Sequence, residues 1–501
     1  MNIKEIKDKY LENIKIINAY RHALNVFHFD HSTIAPIKGR QERNETLSIL
    51  SNIIFQKQMD EDHINLLKTL YKEQHLLDQY TKRLVNLHYE NYIKSQFITP
   101  DLQLKYSIAA NNGYSAWLEA KEKQDYNLFK NELNEIIKLQ QEMLKLRPNQ
   151  KDTLYDALLD DYEKDHNTNI LDKFFNELKE GIIPLLKQII NSKKFIREDF
   201  LTNTVKIDKQ EKFSLYLLKL IGFDLDAGLL STTEHPFTSK ISNNDVRVTT
   251  HYYENLFVSN IFSTIHEGGH AIFGQNEPRE VLDHFVGDNM SSAMHECISR
   301  MYENMIGRSK EFVHAIYPEF KKQFKSEFKD VTELELYEAI NAVHPSLIRI
   351  EADELTYCLH IIIRYEIERD LINGKVTVDD AKDLWNQKYN EYLGVTPDND
   401  STGILQDVHW SDGSFGYFPS YALGNAYAAQ IFNKMQSEID VLNEIKNGNV
   451  VAVKQWLTEN VFKYASMYDP NDWIIKVTGE KLNTKYYIDY LNKKFKAIYH
   501  L

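Results

Sequence analysis

Cysteine is nearly absent. Cys297 and Cys358 are the only two in 501 residues, which excludes a disulfide scaffold and suits a reducing compartment. No apolar run approaches the roughly 18 residues that would span a bilayer. The N-terminal MNIKEIKDKYLENIKI mixes both signs of charge without an apolar core, which is not the pattern of a secretory signal peptide. Positive charge is in deficit: the net charge of −14 disfavours nucleic acid or an anionic membrane as partner. The expectation is a soluble cytoplasmic protein.

Glycine and proline are sparse too. Between Gly39 and Gly113 there is no glycine, and Pro100 is the only proline. Apolar residues at three- and four-residue steps fill that gap in EDHINLLKTLYKEQHLLDQYTKRLVNLHYENYI. The same period runs through NELNEIIKLQQEMLKL, NILDKFFNELKEGIIPLLKQII and the C-terminal NTKYYIDYLNKKFKAIYHL. No repeat, low-complexity tract or linker divides the chain. These patterns predict a mainly α-helical fold and one unit over residues 1–501, long enough for two helical lobes.

One stretch departs from the helical period. In STTEHPFTSKISNNDVRVTTHYYENL, β-branched and aromatic residues alternate with polar ones around a turn-prone Ser-Asn-Asn-Asp. It predicts a hairpin or three-stranded sheet. Such a sheet either closes one end of the core or offers an edge strand to an extended peptide.

Immediately after it comes TIHEGGHAIF. His266 and His270, four apart on a helix, share a face with Cβ atoms about 5–6 Å apart, a spacing that lets both imidazoles bind one zinc ion. Glu267 is rotated about 100° from His266, placed for general-base work rather than ligation. The apolar stripe is Val258, Ile261, Phe262, Ile265 and Ile272. Gly268 and Gly269 each weaken the helix by about 1 kcal/mol relative to alanine, which implies a close neighbour on that face. By chance alone such a motif arises in roughly one chain in twenty of this composition, so a third ligand is required.

The metzincin pattern needs glycine and histidine where Phe273 and Asn276 stand, and is excluded. After the loop DHFVGDNM, the run SSAMHECISRMYENMIG reads as a second helix capped by Ser291 or Ser292, with Met294, Ile298, Met301 and Met305 on its apolar face. Glu296, Arg300 and Glu303 share the opposite face. Pattern alone makes that a solvated face, so Glu296 as third ligand stays open here. Glu277, Glu280 and Asp283 come too soon for a returning helix.

The chain resembles the thermostable carboxypeptidase 1 (carboxypeptidase Taq) family of metallocarboxypeptidases. Six motifs occur in order: His235-Pro236-Phe237; Asp245, Arg247 and Thr249; His266, Glu267 and His270; His295, Glu296 and Cys297; Ile348, Arg349, Ala352 and Asp353; then Gly403, Gln406, Asp407, His409 and Trp410. Two positions depart from the family pattern. Cys297 replaces its serine after the ligand glutamate, and Phe29 its usual tryptophan. Neither touches the zinc ligands or the base.

The resemblance implies helical lobes around a deep active-site groove, with a small β-sheet beside the zinc helix as in a thermolysin- or neurolysin-like core. It implies a homodimer that releases C-terminal residues from peptides with broad specificity. It makes His266, His270 and Glu296 the ligands of one Zn2+ per chain, for which Co2+ can substitute, and Glu267 the base. His409, Tyr417 and Tyr421 are candidates for oxyanion donors, each with a packed structural role as the alternative. Arg247 and Arg349 are candidates for binding the substrate carboxylate, with His235 closing the groove; a structural ion pair is the alternative for either arginine. Asp407 or Asp353 is a candidate for fixing the tautomer of a ligand histidine. Two rivals remain: a zinc endo-oligopeptidase of neurolysin type, and a catalytically silent helical binding protein.

Overall fold

The computed structural model describes residues 2–287 and 290–501; Asp288 and Asn289, in the loop before the second site helix, lie outside the described residues. The chain is mainly helical. The helices that bear on the site are, in chain order, α1 (Ile3–Ser32), α2 (Ile207–Ile221), α3 (Phe257–Gln275), α4 (Ser292–Arg300), α5 (Tyr357–Ile372), α6 (Phe418–Glu438) and α7 (Lys485–Tyr499).

Local signals set the boundaries. The Asn2 side chain accepts from the Glu5 amide at 3.0 Å while the Glu5 carboxylate accepts from the Asn2 amide at 3.0 Å, a capping box that starts α1. The long periodic stretch after residue 60 is two helices, Glu61–Lys72 and Gln79–Ser95, because Asp78 caps the second one through the amides of Tyr80 and Thr81. The runs near residues 130 and 170 form Lys130–Lys145 and Thr168–Ile190.

Three strands make the sheet: β1 (Gly228–Thr232), β2 (Thr238–Ser242) and β3 (Asp245–Thr250), in the order β1-β3-β2. The β2–β3 pair is the expected hairpin, with a register shift between Lys240 and Ser242, and β1 adds in parallel to β3. Alternation along β3 puts Val246 and Val248, both 0 % exposed, toward α3, where Val246 meets Gly274. Arg247 points the other way, with its guanidinium over the Phe29 ring of α1. The sheet is thus held between α1 and α3. No helix among the described residues is long and apolar enough to cross a membrane.

Of the stripe read on α3, Ile261, Phe262, Ile265 and Ile272 lie in the core, and Val258 is partly buried against it. Each such side chain contributes about 1.5–3 kcal/mol relative to exposure. One helical face therefore anchors α3 firmly, and its histidines flank that anchor.

Candidate metal centre

Two glycines let α3 lie against its neighbours. A Cβ on Gly269 would sit 2.8 Å from the Ser299 Cα, so the α3 and α4 backbones touch there, as the paired glycines suggested. On Gly268 it would meet Ile221 and Leu218 of α2. Ser291 caps the α4 helix, its hydroxyl accepting from the Met294 amide at 3.2 Å. Its continuation, Met301–Gly307, widens into a π-helix, a form often found at functional sites.

This packing brings His266, His270 and Glu296 together, with one ligand atom from each within 4.8 Å of the others. The Glu296 Oε2 lies 3.9 Å from His266 Nε2 and 3.6 Å from His270 Nε2. Around a tetrahedral ion with bonds of about 2.0–2.2 Å, ligand atoms stand roughly 3.3–3.6 Å apart. Two imidazoles and one carboxylate, nearly at that spacing, fit a catalytic zinc or a similar divalent ion.

The atoms turned away from that point are already engaged. His266 Nδ1 donates to Glu303 Oε2 at 2.9 Å, which leaves Nε2 with its lone pair toward the centre. His270 Nδ1 lies 2.6 Å from His295 Nδ1. Burial and the neighbouring His270 push His295 down to about 3, so it is neutral and accepts this hydrogen bond when His270 ligates through Nε2. Arg300 Nε donates to Glu296 Oε1 at 2.7 Å and reserves Oε2 for the centre.

Electrostatics follow from that arrangement. Burial works to raise Glu296, yet Arg300, His266 and His270 hold its carboxyl well below the usual carboxylate range. Burial likewise opposes ionisation of Glu303, but Arg300, His266 and Arg308 hold it down at about 2. For His266 burial alone would lower the pKa, and Glu296 with Glu303 outweighs it and raises it.

Here two expectations need correction. The face bearing Glu296, Arg300 and Glu303 is not solvated: the three side chains are only 9, 12 and 14 % exposed, their charges satisfy one another, and α6 packs on Glu296. Neither Asp407 nor Asp353 fixes a ligand histidine. Asp353 accepts from the amides of His344, Leu355 and Thr356, and Asp407 pairs with two arginines. The carboxylate that bonds His266 Nδ1 is Glu303, and the sequence signal was its shared face with Glu296.

Glu267, 8 % exposed, lies beside the pair. Its Oε2 accepts from the Thr238 hydroxyl at 2.7 Å, and its main-chain carbonyl lies 2.8 Å from the same hydroxyl. Thr238 had carried no functional signal in the sequence.

Aromatic side chains from α6 and the preceding loop lie near enough to Glu296 for its charge to act on Tyr417 and Tyr421. His409 Nε2 is 3.4 Å from the Tyr421 hydroxyl, and its ring stacks on Tyr417 at 5.8 Å. Burial, then Arg349, push His409 down to about 4, so it is neutral near pH 7, and its Nδ1 is buried without a hydrogen-bond partner among the described residues. Burial raises both Tyr417 and Tyr421, and the negative charge of Glu296 adds to this, which keeps their hydroxyls protonated donors.

Arg349 is buried at the end of this wall. Its Nε and Nη2 donate to Asp407 Oδ1 at 2.9 and 2.8 Å, and its Nη1 donates to the Tyr357 hydroxyl at 3.2 Å. That tyrosine ring also supports Arg300, 4.2 Å from its centroid, so Arg349 connects to Glu296 through two side chains. Arg364, unnoticed in the sequence, clamps the other oxygen of Asp407 at 2.5 Å. Arg247 pairs with Asp245 at 2.8 and 2.7 Å on the outer face of β3, and His235 is exposed in the loop before β2. Cys297 is a buried thiol donating to the Met294 carbonyl, with its pKa raised by burial.

A family model described as Carboxypeptidase Taq (M32) metallopeptidase matches residues 9–495. The chain is similar to "Carboxypeptidase 1" of Bacillus subtilis, 41% identical over 502 residues that cover 100% of each chain. It is 36% identical over 482 residues to "Thermostable carboxypeptidase 1" of Thermus thermophilus, covering 94% of each. Among solved structures, an M32 carboxypeptidase from Deinococcus radiodurans superposes with a TM-score of 0.94 at 28% identity, covering 99% of both chains.

Proposed function

Since the chain belongs to the carboxypeptidase Taq (M32) metallopeptidase family and is a metal-dependent carboxypeptidase, we propose that it holds one zinc ion on His266, His270 and Glu296 and uses Glu267 as its general base. The observation that carries the ligand assignment is the convergence of the three ligand atoms within 4.8 Å, with the opposite atoms of all three residues already engaged. Cobalt suits the same donor set. When bound, the ion supplies Lewis acidity, which polarises the scissile carbonyl and acidifies water.

The rest of the chemistry belongs to the chain. Glu267 takes the proton of the attacking water and returns it to the leaving amine. Tyr417, Tyr421 and neutral His409 are the donors aimed at the developing oxyanion. Arg349 receives the terminal carboxylate of the peptide, because its guanidinium joins the same tyrosine wall as Glu296. Arg247 and exposed His235 flank the groove at the sheet, where β2, an outer strand, accepts extended substrate backbone. The same reading takes residues 1–501 as one catalytic domain of two lobes around that groove, with a thermolysin- or neurolysin-like zinc core, acting as a cytoplasmic homodimer. The net charge of −14 supports a partner that is peptide rather than nucleic acid.

Mass spectrometry of digests tests this reading. An unblocked peptide should lose residues singly from its C-terminus. Amidation of that terminus removes the charge offered to Arg349 beyond its pairing with Asp407, and should slow hydrolysis at least about thirtyfold. Internal fragments released from the amidated peptide at an undiminished rate would favour the endo-oligopeptidase reading instead.

A further inference from the structure

Thr238 opens β2, and its side chain does something a strand does not require. Its hydroxyl lies 2.7 Å from Glu267 Oε2 and 2.8 Å from the Glu267 carbonyl oxygen. One hydroxyl has one proton, so it can donate fully to only one of these acceptors at a time. No other described residue hydrogen-bonds to the Glu267 carboxylate.

The surroundings hold Thr238 in place from both sides. It pairs with Val248 across the β2–β3 ladder. Just before it, the Phe237 amide donates to Thr249 Oγ1 at 2.7 Å, and the Thr249 amide donates to the Phe237 carbonyl at 3.0 Å. A threonine is also stiff at χ1, so a fixed backbone leaves its hydroxyl little freedom of position.

We infer that Thr238 is a positioning residue for the base: it fixes the Glu267 carboxylate by occupying Oε2 and so reserves Oε1 for the proton that is moved. This rests on Glu267 being the base. While the carboxylate is charged, the hydroxyl donates to Oε2, the stronger acceptor. When Glu267 takes up a proton on Oε1, Oε2 becomes a weaker acceptor, and rotation about one bond turns the hydroxyl proton to the Glu267 carbonyl. Neither charge state leaves a buried donor without a partner. No bond of Thr238 is made or broken in the reaction. The hydroxyl also ties the base to the strand that borders the groove, so displacement of β2 would displace Glu267 with it.

Four variants of the metal-loaded enzyme decide it: Thr238→Val, Thr238→Ala, Thr238→Ser and Glu267→Gln. Valine keeps the shape and the strand preference, alanine removes both branches, and serine restores the hydroxyl. Displacing a catalytic group by an ångström can cost about a hundredfold. The valine and alanine variants should therefore lose at least about tenfold in kcat, with KM within about threefold and metal content unchanged, while serine stays within about threefold of wild type. A merely structural threonine would give equal losses in the serine and valine variants, or losses in KM and metal content. Either pattern overturns the inference, as does a valine or alanine variant with wild-type kcat. Glu267→Gln separates the two readings. If it is inactive while Thr238→Val is fully active, only the positioning role fails; if Glu267→Gln stays within tenfold of wild type, the base assignment itself fails.

Discussion

Gly424 lies so close to Glu296 that a Cβ at that position would sit 2.8 Å from the Glu296 Cγ and 3.0 Å from its Cβ. The absence of a side chain on α6 is what lets the helix pack directly on the stem of Glu296. Gly424→Ala should push either α6 or Glu296 outward, an overpacking of about 1–3 kcal/mol. The expected outcome is at least about tenfold weaker metal retention in competition with a chromophoric chelator, given how tightly ligand geometry limits affinity. Unchanged retention would mean that Glu296 is not a ligand or that α6 yields freely.

Glu303 should matter nearly as much without touching the ion. Glu303→Gln removes the charged acceptor of the His266 Nδ1 proton and leaves Arg300 and Arg308 facing less negative charge. Partners of this kind are typically worth about 10–100-fold in metal affinity. Chelator competition should register that loss, and the metal-free protein should also unfold at lower denaturant. An affinity equal to wild type would remove Glu303 from the support of the centre.

Much of this was legible in the sequence, and the limits have physical causes. The α3 helix announced itself because two histidines and a glutamate flank an apolar stripe, and the paired glycines implied a close neighbour, which at Gly269 is the backbone of Ser299. Periodicity also placed Glu296, Arg300 and Glu303 on one face. It could not say that the face is buried, because a charged face is buried only when its charges match one another and a small-residue surface covers it. The run ALGNAYAA in α6 supplies that surface, but a one-dimensional pattern does not show which helix it will meet. Thr238 looked like an ordinary strand residue, and the Asp407 link to Arg364 spans 43 residues and exists only in the folded chain.

Asp407 is the shared partner of Arg349 and Arg364, the latter with a fully buried side chain, and both guanidiniums hold its carboxyl far below the usual range against the effect of burial. Asp407→Asn would leave two buried cations facing a neutral amide. Removing one partner of a buried pair costs about 3–5 kcal/mol. Urea unfolding should show a loss of that order, and KM for unblocked peptides should rise as Arg349 loses its orientation. A stability change under about 1 kcal/mol would mean the arginines are not held by this charge.

Glu163 should make the fold sensitive to pH from beneath α4. Its Oε1 accepts from the Ala293 amide at 2.6 Å and the Ser420 hydroxyl at 2.8 Å, and Ser291 also hydrogen-bonds to the carboxyl. Burial pushes its carboxyl from 4.5 up to about 7, so the folded chain keeps a proton that the unfolded chain releases more readily. With the folded value raised, the associated stability is fully present below about pH 4.5 and is lost as pH rises through about 7. The loss amounts to about 3 kcal/mol, at roughly 1.4 kcal/mol per pH unit. Glu163→Gln mimics the neutral acid and titrates in neither state. With metal removed from both proteins, denaturant unfolding from pH 5 to pH 8 should show the glutamine variant gaining on wild type steadily up to about pH 7 and then levelling off. A difference between the two proteins that stays constant across this range would show that Glu163 is ionised throughout and that α4 is capped by a charged carboxylate instead.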